Sequence, residues 1–123
     1  MQTVTVYFPS GATVRAELAT DQASRQHGLM GRRSLPDGTG MLFDMGRVDR
    51  HAFWMAGTLV PLDMVFFDTA FGVVDVVERA VPLSRVPRGG RAASRYALEV
   101  PGGWAARHGV AVGQRASLVR PPS

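Results

Sequence analysis

Residues 61–68 read Pro61-Leu62-Asp63-Met64-Val65-Phe66-Phe67-Asp68, an apolar run that Asp63 alone interrupts. Side chains alternate across a strand, and here both alternating sets are apolar, so the run predicts a central strand covered by protein on each side. Thr69 to Gly72 supplies a turn, and Val73–Glu78 returns as an antiparallel partner. An aspartate inside such a strand must be hydrogen-bonded or it costs several kcal/mol, so backbone amides, Thr58 or an arginine are expected around Asp63.

At the start of the chain, Val4, Val6 and Phe8 alternate with Thr3, Thr5 and Tyr7, then Val14, Ala16 and Leu18 with Thr13, Arg15 and Glu17. Two half-buried strands separated by Pro9-Ser10-Gly11 predict an antiparallel hairpin. Thr20 or Asp21 can cap a short helix over 21–28 that Gly28 ends. Turn-rich Arg32–Gly40 leads to a strand at Met41–Met45 and an apolar patch at 52–55. Tyr96–Val100 predicts another strand, 101–108 a second short helix begun by proline, and Arg115–Val119 a closing strand. The expected fold is mainly β, a compact antiparallel β-sandwich or distorted barrel with two short helices. One domain over 1–119 and a flexible tail at 120–123 are expected.

The chain has 123 residues, 46% hydrophobic and 20% charged, enough to bury a core without disulfides or a structural metal. There is no cysteine, which excludes thiolate zinc sites, iron–sulfur clusters and cysteine nucleophiles. His27, His51 and His108 share no local metal-binding spacing, and Met55, four residues from His51, reads as core filler rather than a copper ligand. No dinucleotide fingerprint, phosphate-binding loop or Gly-x-Ser-x-Gly elbow occurs. No metal or cofactor is therefore expected. No apolar run approaches the length of a membrane span, and the opening residues read as a strand rather than a leader. A cytoplasmic location is expected as the sequence stands, with export behind a separate leader as the alternative.

All fourteen basic residues are arginine, and Lys, Asn and Ile are absent, a pattern that points to a GC-rich genome and discounts arginine clusters as signals. Residues 79–95 nevertheless hold five arginines and no acid, a net +5 against −1 for the rest of a chain of net +4. A loop of this kind could dock an acidic partner. Aromatic side chains are missing from Val81 to Ser94, so base stacking has no platform and no nucleic-acid partner is expected.

Five blocks carry a resemblance. Gly28-Leu29-Met30-Gly31-Arg32, Gly40-Met41-Leu42-Phe43, Phe53-Trp54-Met55 with Thr58 and Pro61-Leu62-Asp63, Tyr96-x-Leu98-Glu99-x-Pro101-x-Gly103, and Gly109-x-x-x-Gly113 resemble the domain-of-unknown-function family one-nine-two over roughly residues 4–119. The resemblance implies a small β-rich domain of bacteria and archaea, often exported, with no established activity. Two departures stand out: Ala56-Gly57 replaces the family's usual Lys-Asn pair, and Gln114 replaces an aspartate. Losing the asparagine amide removes two donors and an acceptor from the family's most polar loop.

The candidate site is a groove formed by Arg32, His51, Trp54, Thr58, Asp63 and Glu99. Its leading reading is a non-catalytic module that binds a small molecule, glycan or protein, with Trp54 and Trp104 as stacking platforms. A hydrolase using Asp63 and Glu99 is the alternative, which requires the two carboxylates to lie within about 5–10 Å of each other. A protein-interaction module using the basic 79–95 segment is a further one. Arg32, Asp63 and Glu99 are expected to be neighbours, the arginine clasped between the carboxylates.

Overall fold

The computed structural model describes residues 2–120, so the tail expected at 120–123 lies, Arg120 apart, outside the described residues. The opening hairpin forms as its alternation requires: β1 (Thr3–Tyr7) and β2 (Thr13–Ala19) pair antiparallel, with Val6 opposite Val14. β3 (Thr39–Asp49) runs parallel to β2, so the sheet is mixed rather than wholly antiparallel. A parallel neighbour needs a crossover of a dozen or more residues, and α1 (Gln22–His27) with the turns after it supplies that connection. Asp21 starts α1 through a capping box: its carboxylate accepts the Ser24 amide N–H at 2.7 Å, and Ser24 reaches back to the Asp21 amide.

β5 (Leu62–Phe67) is buried along its whole length, as its two-faced apolar pattern predicts. It pairs antiparallel with β6 (Val73–Ala80) on one side and β8 (Ser94–Pro101) on the other, and β8 also pairs with β3. β9 (Ser117–Val119) adds to β1, giving one seven-stranded sheet in the order β6-β5-β8-β3-β2-β1-β9. A lone bridge between Gly72 and Arg115 joins the segments leading into the two edge strands, so the sheet coils round without closing into a barrel. Two short strands, β4 (Ala52–Phe53) and β7 (Arg88–Gly89), form a separate ribbon.

Alternation along β5 and β8 divides the core between the two faces of the sheet. One cluster contains Val65, Phe67, Leu98 and Val100 with the hairpin residues Val4, Val6 and Val14, and Trp104 from α2 (Trp104–Arg107) packs into it. The other contains Met41, Phe43, Met64, Phe66 and Ala97, covered by Leu29 after α1 and Met55. On the apolar phases of these strands, Val4, Leu18, Leu42, Leu62, Met64, Phe66, Leu98 and Val100 are buried, and Phe53, Val74 and Val76 are half-buried. Gly40 leaves no room for a side chain against β8, since a Cβ there would stand 2.2 Å from the Glu99 carbonyl oxygen.

Candidate functional site

Asp63 is fully buried, and backbone amides alone satisfy it. Its Oδ1 accepts the N–H groups of Arg79 at 2.8 Å and Gly103 at 3.0 Å, and its Oδ2 accepts that of Ala105 at 2.9 Å. The register of β6 against β5 slips between Leu62 and Met64, and Arg79 sits there at φ 51°, which turns its amide out of the ladder and onto Asp63. Gly103 and Ala105 open α2, whose start has no side-chain cap of its own. One carboxylate thus ties the β6 bulge to the β8–α2 corner, a structural role that leaves no free lone pair aimed at solvent.

The expected clasp does not form. Asp63 lies opposite Val100 while Glu99 lies opposite Met64, and this one-residue stagger sends the two carboxylates to opposite faces of the sheet. Arg32 instead grips Glu17 on β2 with both terminal nitrogens, one at 2.9 Å, and holds Glu17 below the usual carboxylate range. Arg32 and Glu17 border a separate shallow depression with Thr39 and Gly40. The His51 ring lies 2.9 Å from the Arg47 carbonyl oxygen. Trp104 is only 1% exposed and cannot serve as a stacking platform, whereas Trp54 is 52% exposed.

Trp54, Thr58 and Glu99 do come together, around an open pocket of about 470 Å³ between α1, β3 and the loop that follows β4. Leu29, Met30, Phe43 and Phe53 supply apolar walls, and Pro87 closes one side. The Phe43 and Phe53 rings pack 5.1 Å apart, tilted by 56°. Glu99 reaches this pocket because it shares the sheet face of Met41 and Met64, its neighbours across β3 and β5. It is 5% exposed, and no protein donor among the described residues reaches its carboxyl group. Burial without compensation pushes its pKa up to about 8, so near neutral pH the group is mostly protonated. The Thr58 hydroxyl likewise has no protein partner among the described residues.

Sequence reasoning missed Arg25 and His27, which line the mouth, and the wall formed by Leu29, Met30 and Phe43. The block Gly28-Leu29-Met30 was visible, but nothing local showed that the crossover from β2 to β3 would carry it over the face bearing Glu99. The basic segment is also more ordered than a loop: Arg88-Gly89 pairs with Ala52-Phe53, and the Met55 and Leu83 amides bond to Ser84 and Thr58 carbonyl oxygens. Two of its five arginines are neutralised, Arg91 by Asp75 and Arg95 by Asp44. Among the described residues no three histidine, aspartate or glutamate side chains gather as a metal site, and no helix is long and apolar enough to cross a membrane.

The chain is similar in structure to a protein of unknown function from Novosphingobium aromaticivorans, with a TM-score of 0.86 and 36% identity over 94% of this chain and 83% of that one. A protein from Sinorhizobium meliloti, named a "putative transcription regulator", matches with the same TM-score and identity over 94% of this chain and 92% of that one. No curated protein matches. The model of domain-of-unknown-function family 192 (DUF192), described as an uncharacterized ACR, matches residues 5–118, and this chain belongs to that family.

Proposed function

We propose that this chain is a non-catalytic small-molecule-binding domain whose ligand occupies the pocket between α1 and the 54–58 loop. One observation carries the reading: Glu99, a buried carboxyl group with no protein partner, opens onto a cavity walled by aromatic and aliphatic side chains. Ligand sites are typically concave and mostly apolar, with a few polar groups that fix orientation, and Glu99 and Thr58 are such groups here. The Glu99 carboxyl oxygens open to the pocket rather than being sealed in the core, so a ligand there can reach them and complete their hydrogen bonding.

A carboxylate-pair hydrolase is not supported, because Asp63 is committed to three amides and faces away from Glu99. The Sinorhizobium relative's name does not extend to DNA reading here. The two helices have six and four residues, too short to present a recognition face to a major groove.

A fragment screen by thermal shift and ligand-observed NMR, with the Trp54 indole resonance as reporter, tests the reading. Mutually competitive hits that move that resonance and are lost on Phe53→Ala are expected. Hits that map only to other surfaces, or none at millimolar concentration, would overturn it.

A further inference from the structure

The donors and acceptors around the pocket do not balance. Glu99 brings a carboxyl group that accepts from no protein donor, while Phe43, Phe53 and Trp54 bring aromatic rings. Ring faces carry the negative end of the aromatic quadrupole and attract cations, and a carboxylate among such rings is the usual chemistry of ammonium recognition. Trp54 already shows this preference, since the Arg85 guanidinium, outside the pocket lining, stands over its ring 5.7 Å from the centroid. We infer that the pocket takes a small organic cation of the ammonium class, its charged nitrogen held between the Glu99 carboxylate and the rings of Phe53 and Trp54.

This rests on the pocket being a ligand site, as proposed above. Three basic side chains oppose a cation here: Arg25 and His27 in the pocket lining, and Arg85, which a ligand on the Trp54 ring would have to displace. Arg25 lines the mouth, but its guanidinium donates to the Thr20 and Asp44 carbonyl oxygens and is committed to the backbone. His27, in the last turn of α1, is the other basic side chain that lines the pocket. The strands flanking Glu99 place only Met41 and Met64 beside it, and residues 54–58 carry no charge.

A cation would bind the ionised carboxylate, so binding near pH 6 must release a proton from Glu99, and affinity must rise with pH. With the free group titrating well above its usual range, at about 8, binding is expected to tighten by at least about tenfold between about pH 6 and about pH 8.

The test is isothermal titration with choline and with its uncharged isostere 3,3-dimethyl-1-butanol, in buffers of different ionisation enthalpy, on the wild type, Glu99→Gln and, as a histidine outside the pocket lining, His108→Gln. Choline should bind more tightly than the isostere, with proton release and the stated rise with pH. Glu99→Gln should lose the preference for choline and the pH dependence, and His108→Gln should keep both. Equal or tighter binding of the isostere, choline affinity that falls with pH, or an unaffected Glu99→Gln would overturn the cation and leave the pocket standing. If neither probe binds, the cation inference falls, and the fragment screen alone decides whether the pocket is a ligand site.

Discussion

Asp63→Asn separates structure from function most cleanly. The aspartate's two oxygens accept three buried amides, two on Oδ1 and one on Oδ2. Asparagine keeps one oxygen, so whichever way the amide turns, an NH2 group meets at least one N–H donor head-on. Loss of one charge-assisted bond, weakening of the others and one orphaned buried donor together cost about 2–3 kcal/mol. Asp63→Ala orphans all three amides and should cost roughly 4–6 kcal/mol, about twice as much. At roughly 3–5 °C per kcal/mol for a chain of this size, Asp63→Asn lowers Tm by roughly 6–15 °C. Urea unfolding followed by Trp104 fluorescence in a Trp54→Phe background reads the corner that Asp63 holds, because Trp104 is the first residue of α2. Ligand affinity should survive in Asp63→Asn, since that carboxylate faces away from the pocket. A stability change within about 0.5 kcal/mol, or a stable variant that no longer binds, would refute the structural role.

Glu99 gives a pH signature of the opposite kind. Its folded pKa lies above the unfolded value, so the native state holds a proton that the unfolded chain has lost, and stability declines from about pH 4.5 up through about 8 before levelling. The decline is on the order of 3–5 kcal/mol, and Tm measured against pH should lose that slope in Glu99→Gln. Gly40→Ala forces β3 away from the Glu99 carbonyl, where a Cβ would stand at 2.2 Å, and should cost about 2–4 kcal/mol by urea denaturation. Phe66→Ala empties a buried site in the second cluster and should cost about 3–5 kcal/mol in the same assay. Dialysis against a chelator should leave Tm unchanged; a fall of about ten degrees, reversed by one ion, would reveal a structural metal.

Strand positions were legible wherever one face or both carried a clear apolar phase, as in β1, β2 and β5. The crossover that makes β2 and β3 parallel was not, because the turn-rich segment after α1 is long enough for either a return or a crossover. The need to satisfy Asp63 was legible from its neighbours, and backbone amides proved to be the answer. Its separation from Glu99 was not, since it depends on a one-residue stagger between β5 and β8 that no local pattern encodes. Arg32 was misplaced for a related reason: its partner Glu17 becomes a neighbour only once β2 and β3 lie side by side. Trp54, Thr58 and Glu99 were chosen from residue type and block membership, and the fold sets all three on one cavity while adding Arg25 and His27 from a helix to which the sequence assigned no site residue.

The account turns on Glu99 being an unpartnered carboxyl group at the pocket, and its own titration tests this directly. Carboxyl-carbon NMR of the wild type, with Glu99→Gln to assign the resonance, should show a group titrating near 8 in the free protein and shifting downward when choline is added. Titration below about pH 5 in the free protein would contradict the account, because it would mean that water or a protein donor already completes the group.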